Sequence, residues 1–176
     1  PPRSTLFPYT TLFRSEKNMW HYIPKLQQTI KISPSMMLQS WMGSDFTNDD
    51  IVKESSIIAD YTHRLDGSAI IDGQSCHRIV LDPRPGAAVV WGKIVYYARE
   101  TDHLPVREEF YNEHAVLKKI LTCGEFKMMR DRTIPTLYKM ETAGKEGQHT
   151  LMKIRDAQFN IVIPARVFSL QNLTRR

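Results

Sequence analysis

Two cysteines in 176 residues are too few for a disulfide scaffold, and Cys76 and Cys123 stand at no spacing used by a zinc or redox motif. There is no Gly-x-Ser-x-Gly elbow of a serine hydrolase and no glycine-rich phosphate loop. None of the six histidines stands four residues from another, so no helical metal-binding pair is present. Asp45, Asp49 and Asp50 lack the alternating oxygen ligands and the terminal glutamate of a calcium loop. Nothing here points to catalysis, a metal or a cofactor. No apolar run approaches the roughly 18 residues of a membrane-spanning helix, and the mean hydropathy is -0.38. The 24 basic residues outnumber the 19 acidic ones, but they are spread along the chain. A nucleic-acid partner is therefore not expected, because such a surface gathers its charge into a stripe.

What the chain does have is strand signal punctuated by turns. With 41% hydrophobic and 10% aromatic residues it suits one globular domain. Asp72-Gly73 is a strong two-residue hairpin signal between strand-like runs at 60–71 and 74–81. Pro83-Arg84-Pro85-Gly86 then breaks the sheet, and further runs cover 91–99, 104–111, 116–126, 136–142 and 149–156. The charged segment 127–133 reads as a turn region, as does Gly144-Lys145-Glu146-Gly147. Tyr138 and Met140 alternate with Lys139 and Glu141, and Met152 and Ile154 with Lys153 and Arg155. That period of two predicts an antiparallel sheet with one wet and one apolar face. A simple meander sets at least two strands between Cys76 and Cys123, beyond the roughly 7 Å span of a disulfide. Both are expected as buried free thiols.

The stretch from Trp20 to Asp50 is different in kind. Residues 19–23 and 27–32 read as two strands around a turn at Pro24-Lys25. Residues 36–46 have no clear period but are rich in methionine and aromatics. Thr47 followed three residues later by Asp50 resembles an N-cap and predicts a short helix over 48–55. Residues 161–173, which contain Pro164, read as a closing strand or a short lid. An apolar sheet face needs a cover, either a packed core or a cavity filled by an apolar ligand. Flexible methionine suits a surface that adapts to several such ligands. The residues expected to share that surface are Trp20, Tyr22, Met42, Tyr96, Tyr138, Met140, Met152 and Ile154.

The pattern Trp20-x-Tyr22-x-Pro24, followed by Ser40-Trp41-Met42-Gly43-Ser44-Asp45-Phe46-Thr47-x-x-Asp50, resembles the LolA-like family of outer-membrane lipoprotein-sorting proteins. The likeness continues through Asp60-Tyr61, Asp72-Gly73-Gln74-Ser75-Cys76, Pro105-Val106-Arg107-Glu108-Glu109-Phe110-Tyr111 and residues 168–173. One departure is the hairpin Asn112-Glu113-His114-Ala115, which lacks the glycine such members place there. The resemblance implies a mainly β fold, a half-open antiparallel β-barrel with one or more covering helices. It implies a periplasmic, non-enzymatic carrier that binds lipoprotein acyl chains or another lipid and passes them towards the outer membrane. An inner-membrane exporter would be the donor and an outer-membrane protein the acceptor. The alternative from another class is an RseB-like envelope sensor, which works by protein contact.

Residues 1–15 stand apart. Within them, Thr5-Leu6-Phe7-Pro8-Tyr9-Thr10-Thr11-Leu12-Phe13-Arg14-Ser15 resembles the conceptual translation of a sequencing adaptor. Such scars are excluded from fold reasoning. The expectation is a foreign segment making no consistent contact with the sheet, ahead of a LolA-like domain over 16–176 that is incomplete at its N-terminus. Without Arg3 and Arg14, 22 basic residues face 19 acidic ones.

Overall fold

The computed structural model describes residues 11–15, 18–23, 26, 28–33, 36–52, 56–87, 89–164 and 167. Three strands come first, β1 (Thr11–Ser15), β2 (Asn18–Ile23) and β3 (Gln28–Ile32), and form their own antiparallel sheet in chain order. A 3-10 turn at Trp41–Gly43 and two five-residue helices follow, α1 (Asn48–Val52) and α2 (Ser56–Asp60). The rest is a seven-stranded sheet: β4 (Tyr61–Ile71), β5 (Gln74–Pro83), β6 (Lys93–Arg99), β7 (Pro105–Tyr111), β8 (Leu117–Met129), β9 (Arg132–Thr142) and β10 (Thr150–Lys153). Each strand pairs antiparallel with its neighbours in sequence, and β4 and β10 form the two edges. The fold is mainly β, a half-open antiparallel wall with few helices.

The turns explain the topology. Asp72 and Gly73 both take positive φ, 47° and 77°, as a two-residue hairpin of the primed type requires. In the hairpin that lacks the expected glycine, Ala115 adopts φ 57° instead. The Asn112 side chain holds that turn by accepting from the His114 and Val116 amides at 3.2 and 2.9 Å. Gly92 allows the neighbouring close approach, since a β-carbon there would stand 2.7 Å from the Asn112 carbonyl oxygen. The turn expected within 127–133 is there, but it is confined to residues 130 and 131. β8 runs to Met129 and β9 starts at Arg132, and Arg130 takes φ 59° in the tight reversal between them. Charged side chains are compatible with a strand whose outer face meets water.

Thr47 caps α1 as its sequence suggests. The Thr47 amide donates to Asp50 Oδ2 at 2.7 Å, and the Asp50 amide donates to Thr47 Oγ1 at 3.2 Å. This is the reciprocal capping-box arrangement with aspartate in the third position. The described helix ends at Val52, and residues 53–55 of the predicted span lie outside the described residues, as does the turn at Pro24-Lys25. Helix α2 was not expected. Residues 161–164 form neither strand nor helix, and 168–173 lie outside the described residues.

Two clusters hold the sheet. Phe46, Tyr61, Leu81, Ile94, Phe110 and Met140 form the first, with Trp41, Ile51 and Ile57 packed on it from the preceding segment. Cys76, Val80, Val95, Tyr97 and Val106 form the second. Val80 alternates with Leu81, and Val95 with Ile94, so β5 and β6 are apolar on both faces. The expectation of one wet face is corrected here: β5 and β6 lie in the interior of the sheet, where long neighbouring side chains shield the outer positions too. Cys76 and Cys123 are both free and buried, with β6 and β7 between their strands. The expectation that residues 1–15 make no consistent contact with a sheet fails for β1, whose backbone pairs with β2 from Thr11↔Tyr22 to Ser15↔Asn18. Once next to a hairpin edge, a backbone with free donors and acceptors pairs whatever its side chains.

Candidate apolar binding site

Strand register builds the site. Ile79, Tyr96, Glu108, Leu121 and Met140 lie directly opposite one another across five strands. Leu81, Ile94, Phe110, Lys119 and Thr142 make the adjoining row. Directly opposed residues share a face, so these ten side chains line the concave side. Tyr138 and Met152 oppose each other on β9 and β10 and extend that face.

The segment before β4 is latched over this face by polar contacts. Lys119 Nζ donates to Asp50 Oδ2 at 2.8 Å and to the Asp45 carbonyl oxygen at 2.5 Å. Asp45 accepts from Thr142 Oγ1 at 3.1 Å and from Thr150 Oγ1 at 2.8 Å, and its amide donates to Thr150 Oγ1 at 2.8 Å. Strands β8, β9 and β10 therefore all grip residues 45–50. A cavity of about 370 Å³ remains between the sheet and this segment. That is within the usual range of small-molecule sites.

The lining is mostly apolar. Phe46, Ile51 and Ile57 contribute from the helical segment, Val89, Val90 and Trp91 from the loop before β6, and Ile94, Phe110, Leu121 and Met140 from the sheet. Of the residues expected from sequence, Tyr96, Tyr138, Met140, Met152 and Ile154 are brought together there. Trp20, Tyr22 and Met42 are not among the lining residues. Trp20 and Tyr22 lie on β2 of the separate small sheet, and Met42 sits in the 3-10 turn with φ 53°. Sequence reading missed Tyr61, Trp91, Phe110 and the acidic Asp49, Asp50 and Glu108. The spacing of Glu108 and Phe110 puts both on one face of their strand, since residues two apart share a face, but only the pairing with β6 and β8 shows that this face is the cavity side.

Tyr61 donates its hydroxyl to the Trp91 carbonyl at 3.0 Å. Burial, and then the charge of Asp49, push its pKa up to about 12. The Cys123 thiol is likewise raised to about 12, first by burial and then by Glu108. Both groups are neutral at ordinary pH. Among the described residues no group of three His, Cys, Asp or Glu side chains could hold a metal ion, and no helix is long and apolar enough to cross a membrane. The arrangement suits enclosure of an apolar group.

A family model described as an uncharacterized protein matches residues 9–175. The chain belongs to that family, and its fold is LolA-like. Three solved structures share this fold. A DUF1329 family protein from Desulfovibrio piger superposes with a TM-score of 0.85 at 22% identity, covering 97% of this chain and 73% of that one. A domain named for outer membrane lipoprotein sorting, from Vibrio parahaemolyticus, gives 0.78 at 22% identity over 92% and 68%. A LolA superfamily protein from Nitrosomonas europaea gives 0.68 at 22% identity over 93% and 71%. At that identity the LolA-like chain shares a fold with them. No curated protein matches it.

Proposed function

We propose that this LolA-like chain is a periplasmic carrier that encloses the acyl part of a lipoprotein or another lipid and hands it towards the outer membrane. The carrying observation is the cavity of about 370 Å³ bounded by Ile94, Phe110, Leu121 and Met140 on the sheet and by Ile51 and Ile57 on the covering segment. Each buried methylene contributes roughly 0.8 kcal/mol without any directed hydrogen bond, so such a wall holds chains of varied structure. Transfer then needs no bond chemistry, only a partner that competes for the lipid or draws the covering segment away. An inner-membrane exporter as donor and an outer-membrane acceptor fit that role. Two of the structural neighbours carry sorting or LolA names, which agrees with this reading.

Mass spectrometry of organic extracts from the protein purified out of its native cell envelope is the test. Stoichiometric acyl lipid is expected. A lipid-free protein that instead co-purifies with one signalling protein would replace the carrier with the sensor.

A further inference from the structure

Resting on the carrier reading, we infer that the cavity takes one acyl chain, tail first, and buries about a dozen of its carbons. The lipid class it suits presents a single chain of that length. Volume sets the capacity. A methylene fills about the space of a water molecule in the liquid, about 30 Å³, and the cavity measures about 370 Å³. Protein interiors pack as densely as organic crystals, so a second full chain has no room beside the first.

One end of the cavity is shut. Lys119 and Thr142 stand in the row of Ile94 and Phe110, and both hold the cover there. Lys119 Nζ donates to Asp50 Oδ2 at 2.8 Å, and Thr142 Oγ1 donates to Asp45 Oδ1 at 3.1 Å. Trp91 packs on Phe110 with ring centroids 5.3 Å apart, which brings the loop that carries Val89 to the same end. From this row the lining runs on past Met140 towards Met152 and Ile154. Burial falls along that path, since Met140 is 1% exposed and Met152 37%. The open side is therefore at Met152, and a chain terminus that enters there stops against the latched row. Such a stop gives chain length two regimes. Each methylene inside adds roughly fourfold in affinity. Each one beyond the mouth stays in water and adds little. A lipid with several chains buries one of them and leaves the others wet.

The experiment uses the full chain with a naphthylamine fluorophore bound in the cavity. Octyl, decyl, dodecyl, tetradecyl and hexadecyl maltosides, each below micelle formation, compete for it with their neutral sugar left in water. Competition is expected to strengthen roughly fourfold per methylene up to dodecyl, and by less than about twofold in total from dodecyl to hexadecyl. Native mass spectrometry is expected to show one dodecyl maltoside per protein. Val89→Phe and Ile51→Phe, which fill the shut end, are expected to move the break to decyl, read in whichever variant melts like the parent. An unbroken rise to hexadecyl overturns the single-chain limit and leaves the carrier reading standing. So do two ligands per protein, or a break that stays at dodecyl in a folded variant. Displacement by none of the maltosides overturns both.

Discussion

Lys119 on β8 and Asp50 on α1 meet at 2.8 Å, with side chains only 9% and 8% exposed. The pair joins the covering segment to the wall. A buried ion pair adds little net stability when both partners are present, but losing one strands a charge out of water. Lys119→Met is expected to cost about 3–5 kcal/mol. The double variant Lys119→Met, Asp50→Asn should recover at least half, because the amide still accepts from the Thr47 amide. Urea unfolding of the four proteins measures the coupling. A single-variant loss below about 1 kcal/mol would mean the contact behaves like a surface pair.

Two methionines of the cavity differ in a way their alternation does not reveal. Met140 is 1% exposed and belongs to the core cluster, whereas Met152 is 37% exposed. Met152→Lys should abolish binding of an acyl probe while leaving the melting temperature nearly unchanged. Met140→Lys should unfold the protein, because a core position offers the ammonium no partner. Equal melting temperatures for the two variants would make Met140 cavity wall alone, with no structural part.

Ala115 holds φ 57°, a conformation that costs an L-residue about 1–2 kcal/mol. Ala115→Gly should raise stability by roughly 0.5–1 kcal/mol, since the strain relieved exceeds the added unfolded-state freedom. The midpoint of a denaturant curve reads it directly. A drop instead would show that the Asn112 side-chain bonds already absorb the strain.

Tyr61 carries a pKa of about 12 in the folded chain against an ordinary 10.0. The folded state therefore retains this proton more tightly than the unfolded one. Its contribution is complete below pH 10 and is lost as pH rises towards 12. Tyr61→Phe should cost about 1 kcal/mol at neutral pH through the lost bond to the Trp91 carbonyl. It should also flatten the fall in stability between pH 10 and 12. An alkaline limb identical to that of the parent would assign that fall to Tyr111, which is raised to about 12 as well, and to Cys123.

Residues 1–15 are proposed to be foreign to the natural protein, despite the pairing of β1 with β2. Removing them should leave the main unfolding transition in place. A clear loss of cooperativity on removal, or a continuous native reading frame through these codons, would make β1 part of the family fold.

The sheet was legible because its outer strands alternate cleanly. Tyr138, Met140, Met152 and Ile154 are separated by Lys139, Glu141 and Lys153, and charge marks the wet side. Thr47 and Asp50 announced the helix start for the same local reason. The interior strands hid their faces, since Ile94, Val95, Tyr96 and Tyr97 offer no polar residue to break the symmetry. Helix α2 is one turn long, too short for a period. Glu108 was invisible as a cavity residue because only the pairing of β6, β7 and β8 reveals its direction. Trp20, Tyr22 and Met42 lie within the stretch that carries the family resemblance, but a resemblance does not say which way a side chain points.

The meander has a consequence for the order of folding. Strands β4 to β10 pair only with sequence neighbours, so the wall can zip hairpin by hairpin at little cost in loop closure. The clasp is the opposite case, for Asp45 bonds Thr150 across 105 residues. It cannot form until the last strand has been synthesised and docked. Amide protection at residues 45–50 is expected to trail that of β6 to β9, and during this interval the nascent chain presents its greasy lining to whatever surrounds it.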